Sequence, residues 1–322
     1  MERLRSRDFA LIAIAAHHAR RRLPRALAGL RLARAIRREE LYLCFQPIIE
    51  LVTGKAYALE ALVRWAHPKR GLVMPAEFVD EVEAGPFAHA LDTYVLEAAV
   101  RQAKALAAAG TPVPISVNLS VRSLDDPDFA ERLVTLVAQH RLPARLVAIE
   151  VTERALEATP NAAAVVERLS AHGIGVALDD FGVGYSALQR LIRLPLASLK
   201  IDRSFVAEME RNERAAVVVH SAVELTHALG MTIVAEGIES EGMAHWLREL
   251  GVDCAQGYLV AKPMGVDELG GWLRGTRIRF SDRRRRERRQ AEEIRGESKE
   301  RRSWSDRRTR RLHAYYGALA PS

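Results

Sequence analysis

Cysteine and long apolar runs are both scarce in this chain of 322 residues. Cys44 and Cys254 are too few for a disulfide framework, and each stands in an apolar, strand-like stretch where a small buried thiol fits. That usage points to a reducing compartment, the cytoplasm. The longest apolar run near the N-terminus, Phe9 to Ala16, is far too short to cross a bilayer, and no signal-peptide cleavage pattern follows it. Hydrophobic residues, in contrast, make up 48% of the chain, enough for a sizeable core and too many for a fibrous or wholly disordered protein.

The net charge of +7 is unevenly spread. Residues 1–40 carry eleven arginines against four acids, and residues 276–322 carry sixteen arginines and lysines against seven acids. The stretch between them is acidic, with 21 basic and 30 acidic residues. An acidic body suits an anionic substrate only if divalent cations convert its carboxylates into an electropositive site.

Polar residues close a series of short apolar runs. Glu60 follows Ala58-Leu59, Asn118 ends Ile115-Ser116-Val117, Glu150 ends Leu146 to Ile149, and Asp179-Asp180 ends Ile174 to Leu178. Lys200, Glu236 and Gln256 continue the series after Ala197-Ser198-Leu199, Met231 to Ala235 and Val252 to Ala255. The runs read as strands, and after the first the intervals match one strand plus one helix. Helices are expected near Pro75–Ala84, Ala88–Ala109 and residues 127–140, 160–172, 184–192, 211–229, 240–250 and 266–273. This rhythm predicts an α/β barrel of parallel strands, whose C-terminal ends meet at one rim. Hard oxygen ligands gathered there suit Mg²⁺ or Mn²⁺.

The motif Glu60-Ala61-Leu62-Val63-Arg64 resembles the signature of the EAL-domain family, cyclic di-GMP phosphodiesterases. Seven further motifs stand in family order: Phe45-Gln46-Pro47-Ile48, Asn118-Leu119-Ser120, Glu150-Val151-Thr152-Glu153, Asp179-Asp180-Phe181-Gly182, Leu199-Lys200-Ile201-Asp202, Glu236-Gly237-Ile238-Glu239 and Gln256-Gly257-Tyr258-Leu259. The resemblance implies a modified TIM (β/α)8 barrel with an antiparallel first strand. It also implies hydrolysis of cyclic di-GMP to linear pGpG with two divalent cations.

By resemblance, Glu60, Asn118, Glu150 and Asp179 bind the first metal, and Asp179 bridges to a second that Asp180 also binds. Glu236 matches the family's general base, a role that sits beside a second one as a holder of the second metal. Lys200 matches the residue that orients the attacking water, Gln256 hydrogen-bonds near the centre, and Glu153 ties down the loop after Asp180. Gln46, Leu62, Arg64, Asp202, Tyr258 and Pro263 match positions around the substrate. Val183 departs from the family pattern, which has threonine there.

The resemblance covers residues 37–274. Residues 1–36 read as a basic helix or linker, and 275–322 as an Arg-rich charged tail that offers Trp304, Tyr315 and Tyr316 to a protein partner. Nucleic acid or an anionic membrane is the less favoured partner, since the tail holds no recognised nucleic-acid motif. Pairing of EAL domains beside the loop after the two aspartates implies a homodimer using 183–188. The rival reading is a barrel that binds cyclic di-GMP as a receptor, without useful turnover. Degenerate relatives of that kind usually lack ligands or the base, and this chain keeps them.

Overall fold

The computed structural model describes residues 29–83, 87–181, 187–209, 211–275 and 278. Most of the basic N-terminal segment, the loop 182–186 and the Arg-rich tail with Trp304, Tyr315 and Tyr316 lie outside the described residues, as do the side chains of 187–189.

Nine strands form one sheet: β1 (Leu41–Glu50), β2 (Ala56–His67), β3 (Gly71–Val73), β4 (Ile115–Asn118), β5 (Val147–Thr152), β6 (Gly175–Phe181), β7 (Ser198–Ile201), β8 (Thr232–Ala235) and β9 (Cys254–Ala255). Eight of them close into a barrel because β1 pairs with both β2 and β9. Both of those pairings are antiparallel, whereas every other neighbouring pair around the barrel is parallel. The expected α/β barrel with an antiparallel first strand is the observed fold. β3 hangs outside the closure, antiparallel to the end of β2.

The side-chain period of two sorts each strand into an outer and an inner set. Outward residues such as Ile115, Ile149, Leu178, Leu199 and Ile233 join the main core with Leu96, Val100, Leu133, Val166 and Leu169 from the surrounding helices. Inward residues Ile48, Ala58, Val234 and Cys254 form a separate small cluster inside the barrel. Below them the Tyr57 hydroxyl reaches Thr232 Oγ1 at 3.4 Å.

Side-chain caps start the rim helices. Ser120 accepts from the Ser123 amide ahead of Val121–Leu124, Thr152 from the Ala155 amide ahead of Glu153–Ala158, and Ser240 from the Met243 amide ahead of Glu241–Glu249. The long helix Ala88–Ala108 ends just before Gly110, whose φ of +76° suits glycine. The expected helix from Pro75 to Ala84 is instead a 3-10 turn, Pro75–Glu77, and a short helix, Val79–Glu83, because Phe78 between them leaves helical geometry at φ −143°.

The chain joins the barrel at opposite ends. Helix 29–37 buries Leu32 and Ala35 in the main core and leads to Glu40, which accepts from Trp65 Nε1 at 3.0 Å near the top of β2. At the other end Ile278 donates its amide to the Gly54 carbonyl, in the turn beneath β1 and β2. A Cβ on Gly54 would lie 1.7 Å from the Ile278 carbonyl, so this crossing requires glycine.

Candidate active site

The inner residues at the C-terminal ends of the parallel strands are polar and close together. Lys200, from β7, is 1% exposed and places its ammonium among four carboxylates. Nζ lies 2.6 Å from Glu236 Oε1, 2.7 Å from Glu150 Oε2, 3.5 Å from Asp179 Oδ1 and 3.7 Å from Glu60 Oε2. Small inner neighbours, Ala148, Ala177 and Ser198, leave room for its stem.

Amides and a hydroxyl hold the carboxylates from the other side. Asn118 Nδ2 donates to Glu60 Oε1 at 2.8 Å, and Gln256 Nε2 donates to Glu60 Oε2 at 2.7 Å and to Gln46 Oε1 at 3.1 Å. Gln46 Nε2 continues to the Ala261 carbonyl at 3.1 Å. Ser116 Oγ donates to Glu150 Oε1 at 2.5 Å. Ser116 is absent from the motif series, though its place two residues before Asn118 on a strand puts both on the inner face.

Adjacent strand residues ordinarily point to opposite faces, yet Asp179 and Asp180 share one mouth. Asp180 has a φ of +55°, and the β6–β7 ladder breaks register between Leu178 and Phe181. That turn of the backbone lets Asp179, Asp180 and Glu236 each offer an oxygen within 4.8 Å of the others, an arrangement that could hold a metal ion. Left-handed geometry is rare for residues other than glycine, and the short side chains of Asp and Asn tolerate it best.

Four carboxylates around one buried ammonium, with Asp180 exposed at the mouth beside them, leave excess negative charge in the site. Burial pushes Glu150 up to about 8, helped by Glu60 and Asp179 and opposed by Lys200. Burial likewise pushes Glu236 up to about 7 against the pull of Lys200. Asp180 is raised by burial, then by Asp179 and Asp202. At Glu60 burial works upward, but Lys200 and the hydrogen bonds from Gln256 and Asn118 outweigh it and hold the group below its ordinary value. Burial works against the charge of Lys200, yet the surrounding acids keep it well above the ordinary lysine range.

The structure thus gathers Gln46, Glu60, Asn118, Glu150, Asp179, Asp180, Lys200, Glu236 and Gln256 at one place. The remaining sequence candidates stand around it. Leu62 and Arg64 follow Glu60 on the same face of β2, and the Arg64 guanidinium is buried, with Nη1 donating to the Val63 carbonyl at 2.9 Å. Asp202 follows β7 and accepts from the Ser204 amide at 2.9 Å. Tyr258 is 63% exposed, with Lys262 Nζ 5.5 Å from its ring centre, and Pro263 is half-buried. Glu153 is buried at the start of Glu153–Ala158, and its carbonyl accepts from Arg190 Nη1 at 3.2 Å.

Fold and site together define an α/β barrel whose rim carries a lysine-centred carboxylate cluster able to hold a cation. The EAL domain family model matches residues 30–263, and the chain belongs to the EAL-domain family. A cyclic di-GMP phosphodiesterase of Pseudomonas aeruginosa is 37% identical over 76% of this chain and 42% of its own length. Cyclic di-GMP phosphodiesterase RocR of the same organism is 36% identical over 68% of this chain and 56% of its own. Among solved structures, the c-di-GMP complex of PaMucR phosphodiesterase is 34% identical, with a TM-score of 0.71 over 74% of this chain and 97% of that one. The chain spans about a third to two-fifths of the length of several curated relatives it matches.

Proposed function

We propose that the barrel, residues 37–274, is a phosphodiesterase that opens cyclic di-GMP to linear pGpG with two divalent cations, Mg²⁺ or Mn²⁺. The observation that carries this reading is the ring of carboxylates about the buried Lys200, with oxygens of Asp179, Asp180 and Glu236 within 4.8 Å of one another at the rim. The all-oxygen donor set fits hard cations, and the raised Glu150 and Glu236 mark negative charge that one ammonium does not balance. The relatives named as cyclic di-GMP phosphodiesterases and the cyclic di-GMP complex of a similar barrel support the choice of substrate.

In this reading Glu60, Asn118, Glu150 and Asp179 hold the first cation, and Asp179 with Asp180 the second. Cations bound there supply positive charge for the phosphoryl oxygens and acidify water. Glu236 receives the proton of the attacking water on a carboxylate oxygen, and Lys200, 2.6 Å from its Oε1, fixes the orientation of that carboxylate. Gln256 aligns Glu60 with Gln46 by donating to both. Arg64 serves a phosphate, Tyr258 stacks on a base, and Gln46, Leu62, Asp202 and Pro263 complete the substrate's surroundings. Glu153 braces the segment after Asp180. A homodimer, a protein partner at the Arg-rich tail and a place in the cytoplasm belong to the same proposal.

The test is to incubate the purified full chain with cyclic di-GMP and Mg²⁺ or Mn²⁺ and to follow pGpG. Product is expected with either ion and little with Ca²⁺, whose longer and looser coordination misplaces the reacting groups. Tight binding of cyclic di-GMP without pGpG would replace the enzyme by a receptor.

A further inference from the structure

The helix Ala88–Ala108 packs outside the barrel through Leu91, Val95, Leu96, Ala99, Val100 and Ala103. Asp92 interrupts that apolar stripe and is only 7% exposed. Its Oδ2 accepts from Ser120 Oγ at 2.5 Å and from the Ser120 amide at 3.3 Å. One turn earlier on the same helix, His89 Nδ1 lies 3.0 Å from Ser123 Oγ. Ser120 Oγ also accepts from the Ser123 amide at 3.2 Å, so the two helix residues grip a turn already tied to itself.

That turn begins at Asn118. Leu119 donates its amide to the Glu150 carbonyl at 3.0 Å, which fixes the backbone leaving β4 on the β5 side. Asp92 fixes it on the other side through Ser120. Between these two anchors Asn118 Nδ2 reaches Glu60 Oε1 at 2.8 Å. A buried carboxylate costs several kcal/mol unless hydrogen bonds satisfy it, and an apolar side chain at this position would simply continue the helix stripe. Burial pushes Asp92 upward while the hydrogen bonds of Ser120 and Ser123 work in the opposite direction. The buried charge is thus spent on the direction of one turn at the rim.

We propose that Asp92 is a positioning residue for Asn118: through Ser120 it sets the direction in which the Asn118 amide enters the carboxylate ring. Its effect on turnover rests on the phosphodiesterase reading; its effect on the Asn118 amide does not.

The chain contains three asparagines, Asn118, Asn161 and Asn212, so full-length protein labelled with ¹⁵N-asparagine gives three side-chain amide pairs by NMR. Asp92→Ala and Ser120→Ala should each displace the Asn118 pair and leave those of Asn161 and Asn212 in place. On the same samples, Mn²⁺ affinity should fall by about ten- to a hundred-fold. kcat should fall more than KM rises, and Asp92→Asn, which keeps one acceptor oxygen, should recover part of both losses. Ala99→Gly, on the same helix and buried away from the turn, serves as the control for lost stability and should leave the Asn118 pair and Mn²⁺ affinity unchanged. An Asn118 pair unmoved by both turn variants, or moved equally by Ala99→Gly, overturns the proposal. Displacement of the pair in a protein whose parent forms no pGpG upholds the positioning role and removes the phosphodiesterase reading instead.

Discussion

Two storeys of the barrel interior are built by the same strands, two residues apart. Ile48, Ala58, Val234 and Cys254 make the lower storey; Gln46, Glu60, Glu236 and Gln256 stand above them on the same four segments. The lower residues are satisfied by contact alone, as close-packed apolar groups are. Of the upper ones Glu60 and Gln256 are buried and Gln46 and Glu236 half-buried, yet each has a named polar partner: Lys200, Asn118 or a neighbouring amide. One strand geometry therefore supplies stability below and chemistry above. The boundary is a single step of the pleat.

Breaking the upper storey should have the larger effect on activity. Glu236→Gln preserves size but removes the proton acceptor, and pGpG formation should fall by about 10²- to 10⁴-fold. Cyclic di-GMP binding by calorimetry should remain measurable. Near-normal turnover by this variant would move the base elsewhere.

The lower storey should respond in the opposite way. Val234→Ala should destabilise the fold by about 1–3 kcal/mol, read as an earlier thermal midpoint, while kcat stays within a few-fold. A larger loss of kcat than of stability would merge the two storeys into one functional unit.

A smaller, pH-dependent contrast follows from the raised carboxyls. Glu150 and Glu236 keep protons in the folded protein up to about 8 and about 7, whereas at an ordinary value of 4.5 the unfolded chain has released them. The folded state then binds more protons across that window, so chelator-treated protein should lose thermal stability as pH rises from about 5 to 8. Lys200, raised above 10.5, contributes no slope there. Added Mn²⁺ should raise the midpoint more at pH 8 than at pH 6, because at the lower pH it must displace protons. An equal increment at both values would deny that cation and protons compete for these groups.

Much of this contrast was legible in the sequence. Polar residues closing apolar runs located the rim, and the interval between runs predicted a barrel. Less legible were Val121–Leu124, Glu153–Ala158 and Arg203–Met209, helices of four to seven residues that are too short to show a helical period. Ser120, Thr152 and Asp202, each accepting from an amide of the turn that follows, were the local signals. Four carboxylates converging on Lys200 depends on contacts between strands far apart in sequence, which no single motif encodes. Asp92 carried a usable signal, a charge inside an apolar helix stripe, but its partner lies 28 positions away.

The places where the chain meets the barrel have a practical consequence for any attachment. Residues 29–37 lead into Glu40, and Glu40 grips Trp65 on the strand that also carries Glu60, Leu62 and Arg64. Ile278 instead crosses Gly54 under the barrel, separated from the mouth at Gln46 by the second half of β1, roughly 13 Å of strand. A dye, a surface or a second protein joined ahead of residue 29 loads the strand that shapes the mouth. The same object joined directly after Ile278 hangs from the opposite pole, where it leaves the mouth clear and its pull falls on a glycine turn.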